Sequence, residues 1–193
     1  MKKSSEPILL ILDLDETLIH ASETVLSQPA DFTVFGYHVY KRPYLEEFLR
    51  TCVRYFRLAI WSSASDDYVQ EMVKRIIPAG IPLAFVWGRS RCTYCLNREA
   101  FETAEYVDYL RHYHYLKVLK KVKRRGYRLE RVLMVDDTPA KARRNYGNVI
   151  YPGEYLGDPD DQELKWLTEY LLRLKDVENV RTVEKRNWRN ERL

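Results

Sequence analysis

Two short apolar runs that break off into acid constrain this chain more than anything else in it. Ile8-Leu9-Leu10-Ile11-Leu12 contains no polar residue and is followed at once by Asp13, Asp15 and Glu16; Val132-Leu133-Met134-Val135 runs straight into Asp136-Asp137. A strand without alternation is apolar on both faces, which is the pattern of a parallel sheet covered on both sides. Phe56 to Trp61 and Leu83 to Trp87 read as further strands, the first ending in Ser62-Ser63-Ala64-Ser65, and Val149-Ile150 as a last one. The spacing of apolar residues predicts helices from Tyr44 to Cys52, from about Asp66 to Ile77 and roughly over 102–123. It also predicts a short helix opened by Thr138-Pro139 and one from Asp160 to Leu174, where Leu164, Leu167, Leu171 and Leu174 recur at helical intervals. Alternating strands and helices give an α/β chain with a Rossmann-like, mostly parallel sheet flanked by helices. Such sheets bind ligands beyond the carboxyl ends of their strands, where these carboxylates and hydroxyls fall.

Composition narrows the setting. A length of 193 residues suits one domain with an insertion, and 13% aromatic residues argue against disorder. No apolar run is long enough for a membrane span or a secretory signal, and the cysteines number three, so an intracellular, reducing compartment is expected, cytoplasmic or, in a eukaryote, nuclear. The domain is expected over residues 1–180, with an insertion at about 88–116 and a basic C-terminal tail at 181–193. Phe32 to Tyr40 reads as a hairpin around Gly36. Cys92-x-x-Cys95 is open to three readings: half a zinc site, a redox pair, or ordinary loop cysteines. His20 reads as a local structural group, and Trp61 and Trp87 as core.

Charge is uneven. Lys117 to Arg131 holds eight basic residues and one acid in a chain of net +4, so the remainder is −3. Such a stripe attracts a phosphorylated or acidic partner, or it is the solvated face of a helix.

Gathering Asp13, Asp15, Asp136 and Asp137 at one sheet edge costs repulsion, and a hard divalent cation such as Mg2+ removes that cost. Strand-end aspartates that cap following helices explain one such residue and explain two clusters poorly.

Asp13-Leu14-Asp15-Glu16-Thr17-Leu18 resembles the first motif of the haloacid-dehalogenase-like (HAD-like) superfamily. The longer block Leu12 to His20, with Arg42-Pro43-Tyr44-Leu45-Glu46-Glu47-Phe48-Leu49, resembles its branch of RNA polymerase II carboxy-terminal-domain phosphatases and NLI-interacting factors. The resemblance implies a HAD-like fold with a small hairpin and an insertion in place of a large cap. It also implies phosphomonoester hydrolysis through an aspartyl phosphate with Mg2+ as cofactor. Asp13 is implied as nucleophile, Asp15 as general acid and then base, and Thr17 as the residue orienting the loop. Ser62 is implied as a phosphoryl-binding hydroxyl, with Ser63 as competitor, and Lys117 as the neutralising lysine, with Lys120 and Lys121 as competitors. The metal would be held by Asp13, the backbone carbonyl of Asp15, Asp136 and Asp137, with Asp136 also supporting the lysine. Arg89-x-x-Cys92 resembles a short piece of the same branch; the Tyr-rich stretch with Tyr106, Tyr109, Tyr113 and Tyr115 has no counterpart there.

An open site favours a large substrate: a phosphorylated protein segment first, a nucleic-acid terminal phosphate or nucleotide as alternative through the basic stripe at 117–131. A binding protein that kept the fold without the chemistry is the non-enzymatic rival.

Overall fold

The run Ile8–Leu12 becomes strand β1, and none of its side chains keeps more than 1% exposure. The structure is a computed structural model and describes residues 6–96, 113–145 and 147–191. β1 lies at the centre of a five-stranded, all-parallel sheet. Its members are β5 (Phe56–Trp61), β6 (Leu83–Trp87), β9 (Val132–Val135) and β10 (Val149–Ile150), in the order β10-β9-β1-β5-β6.

Both faces of β1 are apolar because each packs into its own layer. Ile8, Leu10 and Leu12 join α1 (Leu45–Cys52), α2 (Asp66–Ile76) and α5 (Glu163–Leu174) through Phe48, Met72, Leu167 and Leu171. Leu9 and Ile11 face the opposite layer, with Trp61, Phe85, Trp87, Leu119, Val122 and Met134. Single helical turns, α3 (Lys120–Lys123), α4 (Pro139–Ala142) and the 3-10 turn at Leu129–Arg131, contribute to that second layer among the described residues, and aromatic bulk fills it. Trp61 and Trp87 meet edge to face at 4.9 Å, and Phe85 stacks on Trp87 at 4.1 Å.

Two small antiparallel sheets sit beyond the main one. The hairpin expected at 32–40 is present as β3 (Phe32–Val34) and β4 (Tyr37–Lys41), and β2 (Ile19–Ser22), which the sequence reading did not include, joins it in the order β2-β4-β3. The second pairs β7 (Thr93–Leu96) with β8 (Tyr113–Leu116). This corrects the C-terminal part of the helix expected over 102–123: Tyr113–Leu116 is a strand and, among the described residues of that span, Lys120–Lys123 is helical, while 102–112, with Tyr106 and Tyr109, lie outside the described residues. An aromatic stretch such as Tyr113-His114-Tyr115 is strand-prone, and its cross-strand pairs win over helical periodicity.

The basic C-terminal stretch is docked. Trp188 is 2% exposed, packs on Tyr170 and donates its indole N–H to the Tyr151 carbonyl at 3.0 Å. Arg189 pairs with buried Glu163, and Lys185 donates to the carbonyls of Val180 and Val183. No helix among the described residues is long and apolar enough to cross a membrane.

Candidate active site

Register brings the strand ends together. Leu12 pairs with Val135 on one side and Ile60 on the other, so the residues that follow, Asp13, Asp136 and Ser62, emerge side by side. The Asp13 N–H donates to the Val135 carbonyl at 3.0 Å, which carries the pairing one residue past the strand. Carboxylate oxygens of Asp13, Asp136 and Asp137 all lie within 4.8 Å of one another.

Lys117 neutralises this cluster. Its ammonium is fully buried, 2.7 Å from Asp13 Oδ2 and 2.7 Å from Asp136 Oδ2. Burial pulls its pKa down, but the two carboxylates outweigh burial and hold it above the ordinary lysine value. The backbone around it is clamped: Lys117 N–H donates to the Lys141 carbonyl at 2.9 Å, and the amide of Asn145 donates to the Lys117 carbonyl while accepting from Leu119 N–H. Lys121 reaches the carbonyls of Arg91 and Cys92 instead, and Lys120 is exposed, which leaves Lys117 alone of the three between carboxylates.

Asp136 Oδ1 accepts from Thr138 N–H at 2.9 Å; burial raises its carboxyl pKa and the Lys117 ammonium opposes the rise. Asp137 accepts from the hydroxyls of Thr17 at 3.0 Å and Thr138 at 2.8 Å. The fully buried Thr17 therefore ties the first carboxylate loop to the second.

Asp15 stands apart. Its carboxylate is absent from the Asp13–Asp136–Asp137 group and is held by Tyr68, whose hydroxyl donates at 2.6 Å, and by Ser62 at 3.2 Å. For Asp15 the resemblance implies only the backbone carbonyl at the metal, and the three clustered carboxylates are those of Asp13, Asp136 and Asp137. Burial raises the Asp15 pKa, the Tyr68 bond lowers it and the Asp13 charge raises it again. Ser62 Oγ also accepts from Ala64 N–H at 3.0 Å, while Ser63 contributes its carbonyl to Arg89, so it is the Ser62 side chain that faces Asp15. Glu16 adopts a left-handed φ of 57°, and its carboxyl is pushed up to about 7 by burial and by the charges of Asp15 and Asp137. His20 lies 3.4 Å from it, a local structural partner.

Three contributors escaped the sequence reading. Tyr68 and Asn145 reach the site from α2 and from beyond α4. Arg42 was quoted only as part of a motif. It is 2% exposed, makes a bidentate pair with Asp161 at 2.9 and 2.8 Å and donates to the Thr17 carbonyl at 3.0 Å, bracing the back of the carboxylate loop. Cys52, Cys92 and Cys95 are free, and among the described residues the aspartates form the only group of three or more metal-donor side chains.

Beside Asp15 and Glu16 opens a cavity of about 390 Å3 lined by Phe35, Tyr37, Tyr68 and Arg89. A set of oxygen donors alone, two of them buried, fits a hard cation such as Mg2+.

The family model for NLI interacting factor-like phosphatase matches residues 8–181. The chain is 33% identical over 185 residues to CTD small phosphatase-like protein 2 of Dictyostelium discoideum, covering 92% of this chain and 29% of that protein. It is 28% identical over 181 residues to nuclear envelope morphology protein 1 of Schizosaccharomyces pombe, covering 89% and 34%. It is 25% identical over 188 residues to human carboxy-terminal domain RNA polymerase II polypeptide A small phosphatase 1, covering 94% and 64%. The chain thus spans less than two thirds of the length of each of these relatives. Its fold is similar to that of Fcp1, an essential RNA polymerase II CTD phosphatase, with a TM-score of 0.52 at 20% identity, covering 87% of this chain and 49% of that one.

Proposed function

From the premise that this chain belongs to the NLI interacting factor-like phosphatase family, we propose that it hydrolyses phosphomonoesters through an aspartyl phosphate on Asp13. Phosphoserine or phosphothreonine in a protein segment is the proposed substrate. The observation that carries the reading is the Lys117 ammonium buried at 2.7 Å from both Asp13 and Asp136, with the Asp15 carboxyl poised on Tyr68 and Ser62 beside them.

Phosphoryl transfer needs an in-line nucleophile, neutralisation of the equatorial oxygens and a proton for the leaving oxygen. Asp13 supplies the nucleophile: a carboxylate oxygen forms the P–O bond as the ester P–O bond breaks. Lys117 offsets the charge of Asp13 and of the incoming phosphoryl group. Asp15, whose pKa is raised by burial, protonates the departing oxygen and then takes a proton from the water that attacks the aspartyl phosphate. The Ser62 hydroxyl binds a phosphoryl oxygen, and Thr17 holds the two carboxylate loops in register. Asp13, Asp136 and Asp137, with the Asp15 carbonyl, would hold Mg2+, which when bound supplies further neutralisation of phosphoryl charge.

The test is hydrolysis of p-nitrophenyl phosphate and of phosphoserine peptides. Turnover that requires Mg2+, stops with chelator and disappears in Asp13→Asn supports the reading. No turnover by the native chain on a broad phosphomonoester panel overturns it and leaves a phosphate-binding protein. Preference for 5′- or 3′-phosphorylated oligonucleotides over phosphopeptides replaces the proposed substrate.

A further inference from the structure

The basic stripe of the sequence divides in the fold into cations already engaged and cations left over. Lys117 belongs to the site, Lys121 bonds the carbonyls of Arg91 and Cys92, and Arg131 donates to the carbonyls of Val177 and Glu6. Arg128 lies 4.0 Å from Glu130. The rest of the stripe, Lys120, Lys123, Arg124 and Arg125, is exposed and forms no ion pair with a carboxylate among the described residues. Arg89 and Arg91, upstream of β7, share that condition.

These six cations are physically joined to the site. Arg89 lines the cavity beside Asp15, its Nε bonded to the Ser63 carbonyl and its guanidinium 5.0 Å from the Tyr115 ring. The Arg91 guanidinium lies 5.7 Å from the Trp87 ring, and that of Arg125 lies 5.6 Å from the same ring and 5.8 Å from Phe85. The Lys121 bonds tie α3, which carries Lys120 and Lys123 and is followed by Arg124 and Arg125, to the Arg89–Arg91 turn and Cys92. Phe85 and Trp87, the rings under Arg91 and Arg125, belong to β6, an edge strand of the main sheet.

We propose that this track docks a stretch of carboxylate- or phosphate-bearing side chains flanking the phosphorylated residue, so that the site selects phosphoproteins with an acidic flank. The proposal rests on the phosphatase reading above and adds the substrate class. Guanidinium groups held on aromatic faces present planar forks suited to carboxylate and phosphate. An acidic peptide is favoured over nucleic acid because the rings directly under Arg91 and Arg125, Phe85 and Trp87, are buried at 7% and 5% exposure and offer no free face to a base, so that any stacking falls to Tyr94 and Phe35 at the two ends of the track and not along it. The cations also counter the negative field of the carboxylates at the site, which otherwise repels an acidic substrate.

The test compares two phosphoserine peptides identical except for four Glu or four Gln on one flank, with a second pair carrying them on the other flank. Turnover and binding by fluorescence anisotropy are both measured. The acidic peptide of one pair is expected to show a KM and a Kd about tenfold lower at low salt, a preference that collapses in about 0.5 M salt. In Arg91→Glu/Arg125→Glu, and separately in Lys120→Glu/Arg124→Glu, where Lys120 and Arg124 are exposed and lie on no ring, the Glu-to-Gln ratio should fall to about one. Equal KM and Kd for Glu and Gln peptides on both flanks, with turnover intact, overturns the track and leaves the phosphatase reading standing. An acidic-flank preference in binding with no turnover on any ester upholds the track and overturns the phosphatase reading. A single-stranded oligonucleotide of equal charge that displaces the acidic peptide at lower concentration overturns the peptide assignment in favour of nucleic acid.

Discussion

The two halves of the site are built on different terms. On the Asp13–Lys117–Asp136 side the charges are buried, paired at 2.7 Å and fixed by parallel strand ends. On the Asp15 side the carboxyl is held by two neutral hydroxyls, Tyr68 and Ser62, and opens on a cavity whose rim includes Phe35 at 65% exposure. In the proposed reaction the half that neutralises the phosphoryl group is the buried, paired one, because a misplaced charge in a low dielectric is costly. The half proposed to meet leaving groups of different shape, and to change protonation state, is the one left accessible.

Removing Lys117 tests the rigid half most severely. Lys117→Met leaves Asp13 and Asp136 facing each other without their shared cation, so we expect turnover of p-nitrophenyl phosphate to fall by about 10³-fold. Breaking a buried pair in this way also costs about 3–5 kcal/mol of stability, measured by urea unfolding in chelator. A variant that stays active and stable would mean that the carboxylates do not depend on this lysine, and the contrast between halves would fail.

The same contrast explains what the sequence made legible. Asp13, Asp136 and Asp137 are legible because each sits just past an apolar run whose lack of alternation marks a strand covered on both faces, whereas Thr17 and Ser62 are marked by the resemblance. Lys117 follows a strand whose aromatic spacing imitates a helix, so only the resemblance marks it out from Lys120 and Lys121. Tyr68 carries no such mark: α2 gives it an ordinary helical position, and only the crossover from β5 swings its hydroxyl to within 2.6 Å of Asp15. Asn145 and Arg42 are equally silent, since their partners, Lys117 and Asp161, lie 28 and 119 residues away along the chain. Long-range polar contacts leave no periodicity in the sequence, whereas strands and the carboxylates that end them do.

Two substitutions probe the accessible half. In Asp15→Asn the loss in kcat/KM, which reports the step in which the ester bond breaks, should depend on the leaving group. It should be on the order of 10²-fold for a phosphoserine peptide, whose alkoxide needs a proton, and clearly smaller for p-nitrophenyl phosphate, whose phenolate leaves without one. Equal losses on both substrates would remove Asp15 from the acid role. Tyr68→Phe should act more gently and in one direction. The Tyr68 bond opposes the upward pull of burial on Asp15, so its removal lets that pKa rise further. The acid form then persists to higher pH, and the alkaline limb of peptide hydrolysis should move upward while turnover at its optimum changes by less than about tenfold. A limb that stays in place would mean that Tyr68 serves packing alone.

The smallest effect concerns Glu16, which lies between the halves. Its carboxyl is pushed from the ordinary value of 4.5 to about 7, first by burial and then by the charges of Asp15 and Asp137. A raised carboxyl pKa means that the folded chain binds a proton the unfolded chain has released. This contribution to stability is fully present below about pH 4.5 and is lost as pH rises through about 7. Gln at this position cannot ionise and keeps the uncharged form throughout. Thermal melts in chelator should therefore show Glu16→Gln equal to the native chain at pH 4 and more stable at pH 8. The expected gain in Tm is on the order of 2–4 °C, the response of a chain of this size to about 1 kcal/mol. Melts that coincide at both pH values would place Glu16 in solvent-like surroundings, and the crowding of negative charge that sets the two halves apart would then end at Asp15.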